Sequence, residues 1–158
     1  MSDCCSADSD INRGNRDDAR ELAHGCCSQK TPKKHVCPND GVQYVEVDYK
    51  TVLHHIKKPW AMSIKQQAYY FCSNPECEIV YFGLDNSTIM KSQLRTRVGV
   101  KEADDALICY CFQVLKSDAK ENKAIKHYVA QQTKNGTCSC ATFNPSGKCC
   151  LKDFPNQA

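Results

Sequence analysis

The sequence lacks any apolar run long enough to cross a bilayer, and its opening residues, M-S-D-C-C-S-A-D-S-D, lead into no apolar stretch of the secretory type. Neither membrane insertion nor export is expected, which makes the reducing cytoplasm the expected location. A strong charge of either sign is also lacking. The formal net charge is +3, from 21 Lys and Arg against 18 Asp and Glu, and the basic residues are scattered. The pairs Lys33-Lys34 and Lys57-Lys58 read as solvated faces, so no nucleic-acid partner is expected. No nucleophile–base arrangement stands out either. His24, His35, His54, His55 and His127 are dispersed and form no His-Glu-x-x-His pattern. The chain therefore does not read as an enzyme of an ordinary hydrolytic or transfer class.

Cysteine is what the chain has in quantity: 13 of 158 residues. Such a density means a disulfide scaffold or metal sites, and a reducing compartment favours metal. The count is odd, and Cys-x-Cys and Cys-Cys pairs dominate, which suits thiolate ligation better than bridging. The length allows one domain or two small ones, with metal sites supplementing a modest core.

Three segments are expected. Residues 1–34 are polar and charged, with little to bury, and read as a disordered tail. Two vicinal pairs, Cys4-Cys5 and Cys26-Cys27, punctuate it, each followed by Ser. Mobile thiolates of this kind select soft ions such as Cu(I), although incidental thiols in a disordered tail would look the same.

Residues 35–100 read as a strand-rich module. V-Q-Y-V-E-V-D alternates as a strand does, and Thr51 opens a helix that puts Val52, Leu53 and Ile56 on one face and ends at Pro59. A-Y-Y-F-C and E-I-V-Y-F flank the turn C-S-N-P-E-C, a hairpin with a cysteine at each shoulder. Thr88 to Met90 fits a further strand, and Lys91 to Val98 a short helix ended by Gly99. Residues 101–107 read as a charged connector. Together, 101–158 read as a short helical module, giving an α+β protein overall.

In the first module, Cys72 and Cys77 can bring two sulfurs to one ion across their turn. Cys37 opens another turn, C-P-N-D-G. Zinc accepts carboxylate as well as thiolate, so Cys37, Asp40, Cys72 and Cys77 make a four-ligand set. His35, His54 and His55 compete with Asp40 for the fourth place, and a reduced Cys72/Cys77 pair without metal is the plain alternative. A closed four-ligand site is structural, because no position remains for a substrate water.

In the second module, six cysteines sit at the two ends of one expected helix: Cys109, Cys111, Cys138, Cys140, Cys149 and Cys150. Ser117 or Asp118 can cap that helix, Gly136 can close it, and Ala119, Ile125, Tyr128 and Val129 can form its buried face. The turn Asn144-Pro145-Ser146-Gly147 returns the chain. Four thiolates are what a [2Fe–2S] cluster needs, and zinc competes for the same donors. Trp60 and Phe143 read as core or shielding residues.

The string C-Y-C-F … C-x-C-A-x-x-N-P-S-G-K-C-C-L, preceded by C-P-x-D-G and Y-Y-F-C-x-x-x-x-C-x-I-V-Y-F, resembles the N-terminal domain of the CopZ-type iron–sulfur and zinc metallochaperones over roughly 36–154. The second module is also similar to bacterioferritin-associated ferredoxin. The resemblance implies zinc at Cys37, Cys72 and Cys77. It implies a [2Fe–2S] cluster on Cys109, Cys111, Cys140 and one of Cys149 or Cys150. Cys138 and the other member of the final pair are left over for a transient soft ion. Family members usually carry a further ferredoxin-like domain with a Cys-x-x-Cys copper loop. None occurs in this sequence, so copper carriage would fall to a separate protein or to the tail thiols.

Two functions follow as expectations. One is a cytoplasmic metal-handling protein for Cu(I) or another soft metal, serving a metal-transporting or redox partner, with any activity limited to cluster-dependent reduction of a metal ion. The other is a small ferredoxin-like electron-transfer or redox-sensing module that docks on a partner protein.

Overall fold

A computed structural model describes residues 30–156. The expected tail lies almost wholly outside that range, as do Cys4, Cys5, Cys26 and Cys27. From Thr31 onward the chain forms one compact unit.

Five antiparallel strands make the main sheet: β1 Lys34–Val36, β2 Gln43–Val47, β3 Tyr69–Phe71, β4 Ile79–Gly83 and β5 Thr88–Met90, in that spatial order. Lys34 pairs with Val45, Glu46 with Tyr70, Tyr70 with Phe82, and Phe82 with Thr88. The period-two alternation of β3 divides the core in two. Tyr69 and Phe71 join Val47, Val52, Ile56, Tyr81 and Leu94 in one cluster. Tyr70 and the following Cys72 join Cys37, Cys77, Ile79 and Phe82 in the other. One side of β3 thus packs on a helix, and the other packs against three thiols. A register shift between Ile79 and Tyr81 adds Val80 to the helix-side cluster. Every residue of β4 is buried, which fits its almost continuously apolar sequence.

Helix α1, Tyr49–His55, starts two residues before the expected Thr51, because the Asp48 side chain accepts the Lys50 N–H at 2.8 Å as an N-cap. It stops short of Pro59 as expected, and Ile56 then bridges to Leu94. No helix forms over Lys91 to Val98. The Gln93 carbonyl accepts from the Lys57 amide at 2.9 Å, and the Arg95 amide donates to the His55 carbonyl at 2.9 Å. That backbone is spent on pairing with the segment after α1, and one 3-10 turn, Lys91–Gln93, remains.

The second half begins with a two-stranded hairpin, β6 Leu107–Cys109 and β7 Val114–Leu115, turned by Gln113 at φ 56°. Its helix is broken in two, α2 Lys116–Glu121 and α3 Lys123–Lys134. Asn122 is extended between them and caps α3 by accepting the Ala124 N–H at 3.0 Å. Asparagine competes for backbone hydrogen bonds and favours such a start over a helix interior. Gly136, at φ +71°, closes α3 as expected. Ala119 and Val129 are buried, but Tyr128 is exposed and stacks edge-on against Phe112. A short helix α4, Cys140–Phe143, then leads into the Asn144–Gly147 turn, closed by the Gly147 N–H donating to Asn144 O at 2.8 Å. Trp60 is not a core residue: it is 81% exposed. Phe143 is half-exposed and covers the His54 ring at 5.2 Å.

Three polar joints tie the halves together. Thr51 Oγ1 donates to Ala141 O, and His55 Nε2 lies 3.1 Å from Thr142 O. Tyr81 OH donates to Pro145 O at 2.6 Å. The Gly99 N–H donates to Tyr110 OH at 2.8 Å, while Lys116 Nζ donates to Gly99 O. A Cβ at Gly99 would lie 2.3 Å from Leu107 O, so this joint requires glycine.

Candidate metal centres

The first centre is built from two turns. In Cys37-Pro38-Asn39-Asp40-Gly41, Gly41 takes φ +73° and donates its N–H to Cys37 O at 3.0 Å, while the Val42 N–H reaches Asp40 Oδ1 at 2.9 Å. The tight turn places Cys37 Sγ and the Asp40 carboxylate on one side. In the β3–β4 turn, the Cys72 N–H donates to Val80 O at 2.9 Å, and the Asn74 side chain accepts the Glu76 N–H at 3.0 Å. The two shoulder cysteines are thereby held facing the first turn.

Donor atoms of Cys37, Asp40, Cys72 and Cys77 all lie within 4.8 Å of one another. Three sulfurs and one carboxylate oxygen at that separation match the donor set and size of a four-coordinate zinc site. The other candidates for the fourth place are engaged elsewhere. His35 Nε2 is 3.0 Å from Asn86 Oδ1, His54 Nδ1 accepts from Arg95 at 3.1 Å, and His55 bonds Thr96 and Thr142.

The surroundings favour the ligating forms of two donors. Burial opposes ionisation of Asp40, but Tyr44 OH at 2.7 Å, the Val42 N–H and Asn74 Nδ2 at 3.1 Å all donate to it and hold its carboxyl down at about 2. Burial likewise opposes a charged Cys77, yet hydrogen bonds led by Asn39 Nδ2 at 3.1 Å bring its thiol below the ordinary value. At Cys72 burial prevails and pushes the thiol up to about 12. A divalent ion would remove that proton on binding. Asn39, Tyr44, Asn74 and Lys101 escaped sequence reasoning, because single polar residues near a cysteine carry no pattern.

The second centre collects thiols from β6, the segment after it, the segment before α4, α4 itself and the segment beyond the Asn144–Gly147 turn. Cys111 Sγ and Cys140 Sγ are 3.6 Å apart. Cys138 joins these two within 4.8 Å, and its sulfur lies 3.2 Å from Thr133 Oγ1. Cys109 and Cys150 form another pair, both buried, in which the Cys150 thiol donates to Cys109. That bond is the leading reason the Cys109 thiol falls to about 6, and it raises Cys150 in return. The Ser139 N–H points at Cys111 Sγ at 3.3 Å, and the Cys150 N–H supports Cys140. Cys149 is exposed. The two vicinal cysteines therefore differ: Cys150 faces Cys109 inside the fold, and Cys149 faces outward.

Both ends of the broken helix thus deliver sulfur to one region. Two thiol pairs converge there, with backbone N–H groups aimed at sulfur, an environment suited to an anionic metal–sulfur group. Among the described residues no helix is long and apolar enough to cross a membrane.

Comparisons with known proteins show what the chain is similar to. Residues 34–95 match a zinc-binding domain family named for CopZ. The chain is 36% identical over 118 residues to the copper chaperone CopZ of Archaeoglobus fulgidus, an alignment covering 72% of this chain and 57% of that protein. It therefore spans little more than half the length of that curated relative. The X-ray structure of the Archaeoglobus fulgidus CopZ N-terminal domain superposes with a TM-score of 0.59 at 32% identity, covering 77% of this chain and 100% of that one. On the strength of a shared zinc-binding domain, shared fold and shared sequence, this chain belongs to the CopZ family and corresponds to its N-terminal domain.

Proposed function

We propose that the protein is a metal-handling chaperone for a soft ion such as Cu(I). In this reading a structural zinc sits on Cys37, Asp40, Cys72 and Cys77, and a [2Fe–2S] cluster sits on Cys109, Cys111, Cys140 and Cys150. The observation that carries the reading is the convergence of two thiol pairs, Cys111 with Cys140 at 3.6 Å and Cys109 with Cys150, from distant parts of the chain. Each iron of a [2Fe–2S] cluster takes two protein thiolates, so two pairs match it.

The residues divide the work. The zinc ligands close the β1–β2 and β3–β4 turns at one end of the sheet. Burial pushes the thiols of Cys111 and Cys140 up, and the backbone N–H groups that Ser139 and Cys150 aim at them offset part of that rise. Cys138, beside Cys111 and Cys140, and the exposed Cys149 remain as spare thiolates for soft-metal exchange. A [2Fe–2S] cluster held by these thiols would, in its reduced state, supply the one electron that takes Cu(II) to the Cu(I) that thiolates prefer, and would be left oxidised. The copper chaperone activity named for the Archaeoglobus fulgidus relative, with a metal-transporting or redox partner, extends to this chain in the same reading.

Anaerobic purification followed by metal analysis and a visible spectrum tests it. The expected result is about two irons and one zinc per chain with [2Fe–2S] absorption. A colourless protein with two zincs would overturn the cluster, leaving Cys111, Cys138 and Cys140 as a second zinc site. Cu(I) competition against a chelator tests the cargo. Affinity unaffected by Cys138→Ser with Cys149→Ser would remove the spare thiolates from the function.

A further inference from the structure

Lys101 ends the 3-10 turn Gly99–Lys101 and is 5% exposed. A lysine is rarely buried without a charge partner. Among the described residues no carboxylate lies within ion-pair distance of it. Its Nζ donates to Asn74 O at 2.7 Å and to Cys77 O at 2.9 Å, and lies 3.6 Å from Cys72 Sγ. The ammonium is thus seated inside the loop that carries two of the four donors of the first centre.

Three thiolates and a carboxylate around a divalent ion leave two surplus negative charges, in a place where Cys37, Cys72 and Cys77 are each at most 1% exposed. Asn39 gives Cys77 a neutral N–H; Cys72 receives a cation. We infer that Lys101 is the charge-balancing residue of the first metal site, and that it holds Cys72 as a weakly nucleophilic ligand. The inference rests on the reading of that donor set as a zinc site. A positive charge beside a thiolate draws electron density from sulfur and slows its attack on electrophiles. The zinc then stays structural, and thiol exchange is left to the second half of the chain. This is a positioning and charge role exerted through Cys72.

The test is alkylation of the zinc-loaded full chain with iodoacetamide. A cysteine sulfur forms a bond to carbon, iodide leaves, and the weakened zinc–sulfur bond releases zinc to a chromogenic chelator. Lys101→Met keeps the length and removes the charge. Zinc release is expected to become about tenfold faster, with Cys72 the first of the three to be labelled by peptide mass. Release at the wild-type rate from a Lys101→Met protein that holds its zinc would overturn the inference. Should that variant fail to hold zinc, the labelling order in the wild-type protein decides. The three sulfurs are almost equally buried, so Cys72 should be labelled last, and Cys72 labelled first would overturn the inference. Metal analysis before alkylation separates the two readings, since a wild-type chain without zinc removes the site itself and this inference with it.

Discussion

Cys149 and Cys150 are adjacent and chemically interchangeable, yet only Cys150 is buried against Cys109. Cys150→Ser should reduce iron from about two per chain to near zero, whereas Cys149→Ser should leave iron and the visible spectrum unchanged. Iron assays on the two purified variants check this. The sequence left the choice open, because side-chain direction after a turn depends on what the turn packs against. His55 is a second residue whose role only the fold reveals. Its Nε2 must donate to the Thr142 carbonyl, and its Nδ1 accepts from Thr96 Oγ1 at 3.0 Å, so the neutral ring serves both bonds. Burial lowers its pKa from 6.5 to about 4, helped by His54 and Arg95 nearby. Between those values the unfolded chain takes up a proton that the folded one refuses. Stability should therefore fall as pH drops from 6.5 towards 4, by on the order of 2 kcal/mol from this group, and level off below. Unfolding measured against pH should show a flatter profile over that window for His55→Gln.

Helix α1 serves two partners at once. Its Val52 and the Ile56 that follows it enter the sheet core, and Thr51 and His55 hold the carbonyls of α4. Thr51→Val keeps the shape and strands the Ala141 carbonyl. A loss of about 1–3 kcal/mol is expected in urea unfolding, together with faster bleaching of the cluster absorption in air. An unchanged bleaching rate would mean that α4 keeps the Cys140 position without α1. Much at this scale was legible. The β3–β4 hairpin, the β2 alternation, the Gly136 stop and the Asn144–Gly147 turn all follow from local pattern and turn chemistry. The expected helix over 91–98 was not formed, because its backbone pairs with the segment after α1, a distant demand that no local window contains. The break at Asn122 has a local sign in the asparagine itself, which favours a helix start over a helix interior. Lys101 looked like part of a charged connector, and only the fold brings its ammonium to Cys72.

Across the whole molecule, the first donor set lies within residues 37–77 and the second within 109–150, yet polar joints at Gly99, Thr51, His55 and Tyr81 make one unit of them. Removing zinc should therefore be felt in the second half. Stripping it with a strong chelator should lower the melting temperature by ten degrees or more, if zinc contributes the several kcal/mol typical of small structural sites. Calorimetry of the metal-loaded and stripped protein gives the comparison, and cluster absorption should fade in the same temperature range. The succession of the two donor sets along the chain has a consequence in time as well as in space. During synthesis, at about 5–20 residues per second, the four donors of the first site emerge before any thiol of the second. Zinc can close its turns before Cys109 to Cys150 have emerged, so the second set of thiols would appear beside a sheet already sealed, and a wrong metal would have fewer sulfurs to scavenge.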